Sequence, residues 1–188
     1  MHVRVIGVGS CHGEDVAGLD VAEAVGARLL PPDVSVALCT RPMPDLLDAL
    51  EDADVVVIVD AMRSGEPAGT VRRLRPDELA RCRDVSCHGF DVSYALEVAK
   101  ALGRLPQVVE IVGIEVDPPR EPGPALAAAA HRAESMVLDL VKAFRGKDLK
   151  RVATVGAKDA PEPHPEPRAM RSVRPDEDPP PGVAQPRA

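Results

Sequence analysis

Aromatic side chains are almost missing from this 188-residue chain: there is no tryptophan, one tyrosine and two phenylalanines, 2% in all. A core must therefore be built from aliphatic residues, and the 45% hydrophobic content is ample for one domain. The chain also lacks a basic stripe with interleaved aromatics and carries a net charge of −7. That balance excludes a general nucleic-acid binder, which needs clustered Lys and Arg on phosphates. No apolar run approaches the roughly 20 residues of a membrane span, because Glu, Asp, Arg or Pro interrupts every candidate. Four cysteines (Cys11, Cys39, Cys82 and Cys87) form no Cys-x-x-Cys pair, and no charged-then-apolar leader opens the sequence. Reduced thiols, a cytoplasmic location and no membrane insertion are the expectations.

What is present alternates regularly. Strands are predicted at Val3 to Val8, Val34 to Cys39 and Val55 to Val59, with helices from about Gly18 to Arg28 and from Pro44 to about Asp52. This alternation predicts a mostly parallel sheet with helices on both faces. A short strand, Thr70 to Leu74, carries Arg72 and Arg73 as charges that guard a sheet edge, and a Pro76-led helix follows. Val92, Ala95, Leu96, Ala99 and Leu102 repeat at helical spacing between Asp91 as cap and Gly103 as stop. A strand from Val108 to Ile114 comes next, and Pro124 opens a last helix whose apolar stripe ends before Gly146. Beyond Arg151 lie nine of the 20 prolines and no aromatic residue. The chain therefore divides into a domain at 1–146 and a Pro-rich tail at 147–188 whose composition predicts disorder.

Three polar positions suit one crevice. Asp60 ends the β-branched run Val55-Val56-Val57-Ile58-Val59, and polar residues at the carboxyl ends of buried parallel strands face the ligand site. Asp15 lies in the turn after the first strand, and His88 in the loop Ser86-Cys87-His88-Gly89-Phe90-Asp91. Together they would form an oxygen, oxygen, nitrogen set able to hold a divalent metal. Ordinary roles compete: Asp15 as a helix cap and His88 as a loop tether. A dinucleotide site is disfavoured, because the third glycine after Gly7-Val8-Gly9 would fall at His12, and Cys39-Thr40-Arg41 replaces the acidic residue expected after the second strand.

Read in order, Val5-Ile6-Gly7-Val8-Gly9, Gly13-Glu14-Asp15-Val16-Ala17-Gly18, Val57-Ile58-Val59-Asp60-Ala61, Cys87-His88 and Ile111-Val112-Gly113-Ile114-Glu115 resemble the landmarks of the nickel–iron hydrogenase maturation endopeptidases. The resemblance spans about residues 3 to 146. It implies a three-layer α/β sandwich of the phosphorylase/hydrolase type, and an endopeptidase that removes a C-terminal peptide from the hydrogenase large subunit precursor after nickel insertion. It also implies that Asp15, Asp60 and His88 are the catalytic, metal-contacting positions, with nickel supplied by the precursor. Two departures stand out: Ser10-Cys11-His12 shortens the first turn, and Arg41-Pro42-Met43-Pro44-Asp45 replaces a glycine-containing loop. The chain has no His-Glu-x-x-His, so the implied chemistry is metal-assisted hydrolysis without a zinc-protease helix. A small-molecule hydrolase or phosphorylase-like enzyme, and a noncatalytic nickel-binding accessory protein, are the alternatives.

Overall fold

The computed structural model describes residues 1–10, 13–79, 92–116 and 124–146. The expected tail at 147–188, the cap Asp91, and Cys11, Cys82 and Cys87 lie outside them. Among the described residues five strands form one sheet in the order β2-β1-β3-β5-β4: β1 Val3–Val8, β2 Val34–Cys39, β3 Val55–Met62, β4 Val71–Leu74 and β5 Val108–Glu115. All neighbours pair in parallel except β4, which runs antiparallel to β5 at the edge. The predicted strands are all present.

The aliphatic composition explains the layers. Val55, Val57 and Val59 point to one face, where helices α1 (Ala17–Gly26) and α5 (Pro124–Arg145) cover them. Val56 and Ile58 point to the other, beneath α2 (Leu47–Leu50) and α4 (Val92–Ala101). Every residue from Val55 to Val59 is fully buried. Each such side chain contributes about 1.5–3 kcal/mol on leaving water, so a β-branched strand between two helical layers replaces the missing aromatics. Gly103, at φ +68°, follows α4 as its expected stop. The short α3 (Pro76–Leu79) follows β4.

Two elements differ from expectation. Val55 to Val59 continues as a strand to Met62, because β5 keeps pairing with Asp60, Ala61 and Met62. The helix expected from Pro44 to Asp52 is a π-helical turn, Pro42–Leu46, followed by the single turn of α2, with Met43 in a non-helical conformation between two prolines. Arg73 is an exposed charge on the edge strand, as expected, and it is also paired. It makes two hydrogen bonds to Glu110 of the adjacent strand, at 2.6 and 2.9 Å, and that pairing raises its pKa.

Helix α1 is pressed against the ends of β1 and β3. A Cβ on Gly18 would lie 2.2 Å from the Val8 carbonyl oxygen and 2.5 Å from that of Val59. One on Gly7 would lie 2.6 Å from both the Gly18 oxygen and Ala22 Cβ. Only glycine permits this approach of backbone to backbone. Alanine at Gly18 would gain about 1 kcal/mol in helix propensity but meets two carbonyls that cannot move aside, a conflict of about 2–4 kcal/mol. We expect Gly18→Ala to lose stability in urea denaturation and Gly26→Ala, whose nearest neighbours are 3.7 Å away, to hold or gain it. Equal stability of the two variants would contradict the packing account.

Cys39 ends β2 with 1% exposure. Its pKa is pushed up to about 12, chiefly by burial and further by the charges of Asp45 and Asp48. It is a core thiol and not a nucleophile. Iodoacetamide at pH 8 is expected to leave Cys39 unmodified in the native protein and to alkylate it in urea, as read by peptide mass; native alkylation would contradict its burial.

Candidate active site

The strand order places a topological switch between β1 and β3. The chain steps outward from β1 to β2, then crosses back to lay β3 on the other side of β1. Where the strand order reverses, a crevice opens at the strands' carboxyl ends, the usual ligand position in open α/β sheets. Both predicted carboxylates stand there.

Asp15 belongs to a 3₁₀ turn, Gly13–Val16, that leads into α1. Val16 occupies the cap position of the helix and forms no side-chain capping bond, so Asp15 is not the helix N-cap. Its height is set by backbone contact: the Asp15 carbonyl oxygen lies 2.1 Å from where a Gly9 Cβ would be. With Gly18 seated on Val8 and Val59, the turn touches β3 directly. Asp15 and Asp60 are thereby carried to the same sheet end from distant parts of the sequence, and both are half-buried.

Asp60 sits within β3 rather than at its end. The ladder with β1 stops at the Gly7–Val59 pair, whereas β5 continues through Gly113, Ile114 and Glu115. From Asp60 to Met62 the strand therefore has a neighbour on one side only, and its other flank borders the crevice. Strand alternation puts Asp60 on the face of Val56 and Ile58, the face packed by α4. Opposite it stands Gly113, so β5 contributes no side chain beside the carboxylate. A Cβ there would lie 2.1 Å from Met62 Sδ. Gly113 is thus a site residue whose in-strand position signals a close approach.

His88 lies outside the described residues, as do Cys11, His12 and Cys87. Helix α4 begins at Val92, and its opposite end is placed by the ion pair of Arg104 with Glu51, just before β3. The amino end of α4 therefore faces the carboxyl side of the sheet. Among the described residues no group of three His, Cys, Asp or Glu side chains comes close enough to hold a metal. Two carboxylates at this sheet end could supply oxygen donors and a general base.

Glu115, quoted above only as part of a motif, is a buried carboxylate at this end of the sheet, 3% exposed. Its Oε1 accepts hydrogen bonds from the backbone N–H groups of Ser64 and Gly65, and its Oε2 from the Ser64 hydroxyl. Nothing in the local sequence distinguishes it from a solvated strand end. No helix among the described residues is long and apolar enough to cross a membrane.

Comparisons with known proteins point to one family. A family model described as hydrogenase maturation protease matches residues 21–142, a segment that contains Asp60 and His88 and begins after Asp15. Over 73 residues the chain is 33% identical to the hydrogenase expression/formation protein HupD of Thiocapsa roseopersicina, a stretch covering 37% of this chain and 33% of that protein. The aligned part thus spans about a third of the curated relative's length. An endopeptidase from Escherichia coli, solved in solution, superposes with a TM-score of 0.69 at 25% identity, covering 77% of this chain and 94% of that one. The maturating endopeptidase HybD from E. coli gives 0.66 at 24%, with the same coverage. The nickel–iron hydrogenase maturation protease HycI from Thermococcus kodakarensis gives 0.60 at 23%, covering 75% and 92%. The expected three-layer α/β fold is the fold of these structures, and with the family model matching more than half of its length, the chain belongs to the hydrogenase maturation protease family.

Proposed function

We propose that this protein is an endopeptidase that removes the C-terminal peptide of a nickel–iron hydrogenase large subunit precursor once nickel has been inserted. The observation that supports the reading is that Asp15 and Asp60 lie at the same end of the sheet, about the β1/β3 switch, in a chain of this family. His88 is the third member, and only three residues separate it from the start of α4 at the same sheet end. That is a reach of at most about 14 Å from Val92.

Nickel belongs to the substrate in this reaction. Asp15, Asp60 and His88 offer two oxygens and one imidazole, fewer protein ligands than a closed metal site needs, so an ion arriving with the precursor's own ligands would find the remaining positions. Bound there, the metal would fix the precursor and polarise a carbonyl. The protein's own part is positioning: the glycine-set turn and the extension of β3 hold two carboxylates about the crevice, where one can take a proton from the attacking water. The reading carries with it the cytoplasmic location expected from the sequence.

The test is cleavage of purified precursor followed by intact mass. A single cut is expected in nickel-loaded precursor, none in the metal-free form under chelator, and none in casein. Asp15→Asn and His88→Ala should each slow the cut by about 10²-fold or more. The protein alone should retain Ni²⁺ only weakly in equilibrium dialysis. Equal cutting of metal-free precursor would remove nickel from the mechanism. Intact precursor with tight nickel retention would favour an accessory protein, and turnover of small esters or nucleosides with intact precursor would favour a small-molecule enzyme.

A further inference from the structure

The buried carboxylate of Glu115 is committed to one short turn. Its Oε1 accepts from Ser64 N–H at 2.7 Å and Gly65 N–H at 2.9 Å, and its Oε2 accepts from the Ser64 hydroxyl at 2.7 Å. The backbone reinforces the join, since Val116 N–H donates to the Met62 carbonyl at 3.0 Å, and Glu115 exchanges two bonds of 2.8 Å with Gly69 and Thr70. Among the described residues no cation pairs with Glu115. A carboxylate so enclosed costs several kcal/mol unless its acceptor positions are filled, and here the donors come from the turn that follows β3.

The position of that turn is what gives the contact a use. Beyond Val59, β3 no longer pairs with β1 and its ladder runs to β5 only, and Asp60 lies on this one-sided extension opposite a glycine. Opposite Asp60 itself β5 offers no side chain, while Ala61 and Met62 pack into the two core layers. The backbone anchors are the ladder to Gly113, Ile114 and Glu115, and the clamp that closes the extension at Ser64 and Gly65. Without the clamp, the ladder would fray from its free end toward Asp60.

We infer that Glu115 is a positioning residue for the peptide-cleaving site, holding the β3 extension that carries Asp60, together with the turn at 63–65, as a fixed lip of the crevice. The inference rests on the reading of the site given under Proposed function. Glu115 touches neither the crevice carboxylates nor the scissile bond, and it acts through the placement of Asp60. A displacement of about 1 Å at a reacting group can lower a rate by about 10²-fold, so a side chain with no chemical part can still govern the maximal rate.

The experiment compares Glu115→Ala, Glu115→Gln and Glu110→Ala with the wild type. Glu110 is a buried carboxylate on the same strand, bonded to Arg73 and remote from the turn. Single-turnover cleavage of nickel-loaded precursor is measured against precursor concentration, beside thermal melting and hydrogen–deuterium exchange of the protein alone. Glu115→Ala is expected to lower the maximal rate about tenfold or more with little change in the half-saturating concentration. Its amides at 60–65 should exchange faster while those of β1 and α5 keep wild-type protection. Glu115→Gln should recover to within about threefold, because its carbonyl oxygen retains both backbone donors and its amide can donate to the Ser64 oxygen. Glu110→Ala should melt earlier yet cut at the wild-type maximal rate.

A wild-type maximal rate in Glu115→Ala, or an equal loss in Glu110→Ala, would overturn the inference. Unchanged exchange at 60–65 would do the same. If the wild type cuts no precursor, the functional reading fails by itself, and the exchange measurement still decides whether Glu115 fixes the Asp60 segment. If Glu115→Ala does not fold, Glu115→Asp, one methylene too short to reach all three donors, takes its place under the same criteria.

Discussion

The site depends on the contact of α1 with the ends of β1 and β3. Gly7 and Gly18 let helix backbone rest on strand backbone, and Gly9 leaves room for the Asp15 carbonyl. A methyl group at Gly18 would have to displace two carbonyls held in the sheet, so the spacing of helix and sheet is fixed by main-chain atoms rather than by adjustable side chains. The turn bearing Asp15 inherits that rigidity, since it is the start of the same helix.

Asp60 is fixed differently. It projects from a strand that outlasts its neighbour on one side, which leaves a flank open where β1 has turned away. Gly113 opposite removes competition for space, Met62 closes over that glycine, and Glu115 ties down the chain beyond. One carboxylate is thus held by close helix packing and the other by an anchored half-ladder. Two independent supports meet at the switch point, the position in an open α/β sheet where a ligand can be reached from both loops.

Much of this architecture was legible in the sequence because its signals are local. The aliphatic runs at Val3 to Val8 and Val34 to Cys39 match strands of the same extent, and the stripe from Leu126 to Phe144 gives α5 between Pro124 and Arg145. What depends on partners was not legible. β3 reaches Met62 only because β5 is beside it, and the exposed Arg73 is paired only because Glu110 lies on the adjacent strand. Pro42 and Pro44 forced a π-helical turn where apolar spacing alone suggested a helix. Asp60 was readable because an acid after a β-branched run is unusual. Glu115 was not, because its burial follows from the Met62–Glu115 register and the return of the chain at Ser64. Asp15 drew its signal from the glycines around it, which are also what place it.

The claim on which the rest turns is that Asp60 is a working member of the site and not a tolerated polar end of a core strand. The most direct measurement is intact-mass analysis of nickel-loaded precursor after incubation with Asp60→Asn, a substitution that keeps the side chain's shape and removes its charge. The account predicts a variant with wild-type circular dichroism and melting that leaves the precursor uncut. Complete processing by that folded variant would contradict it.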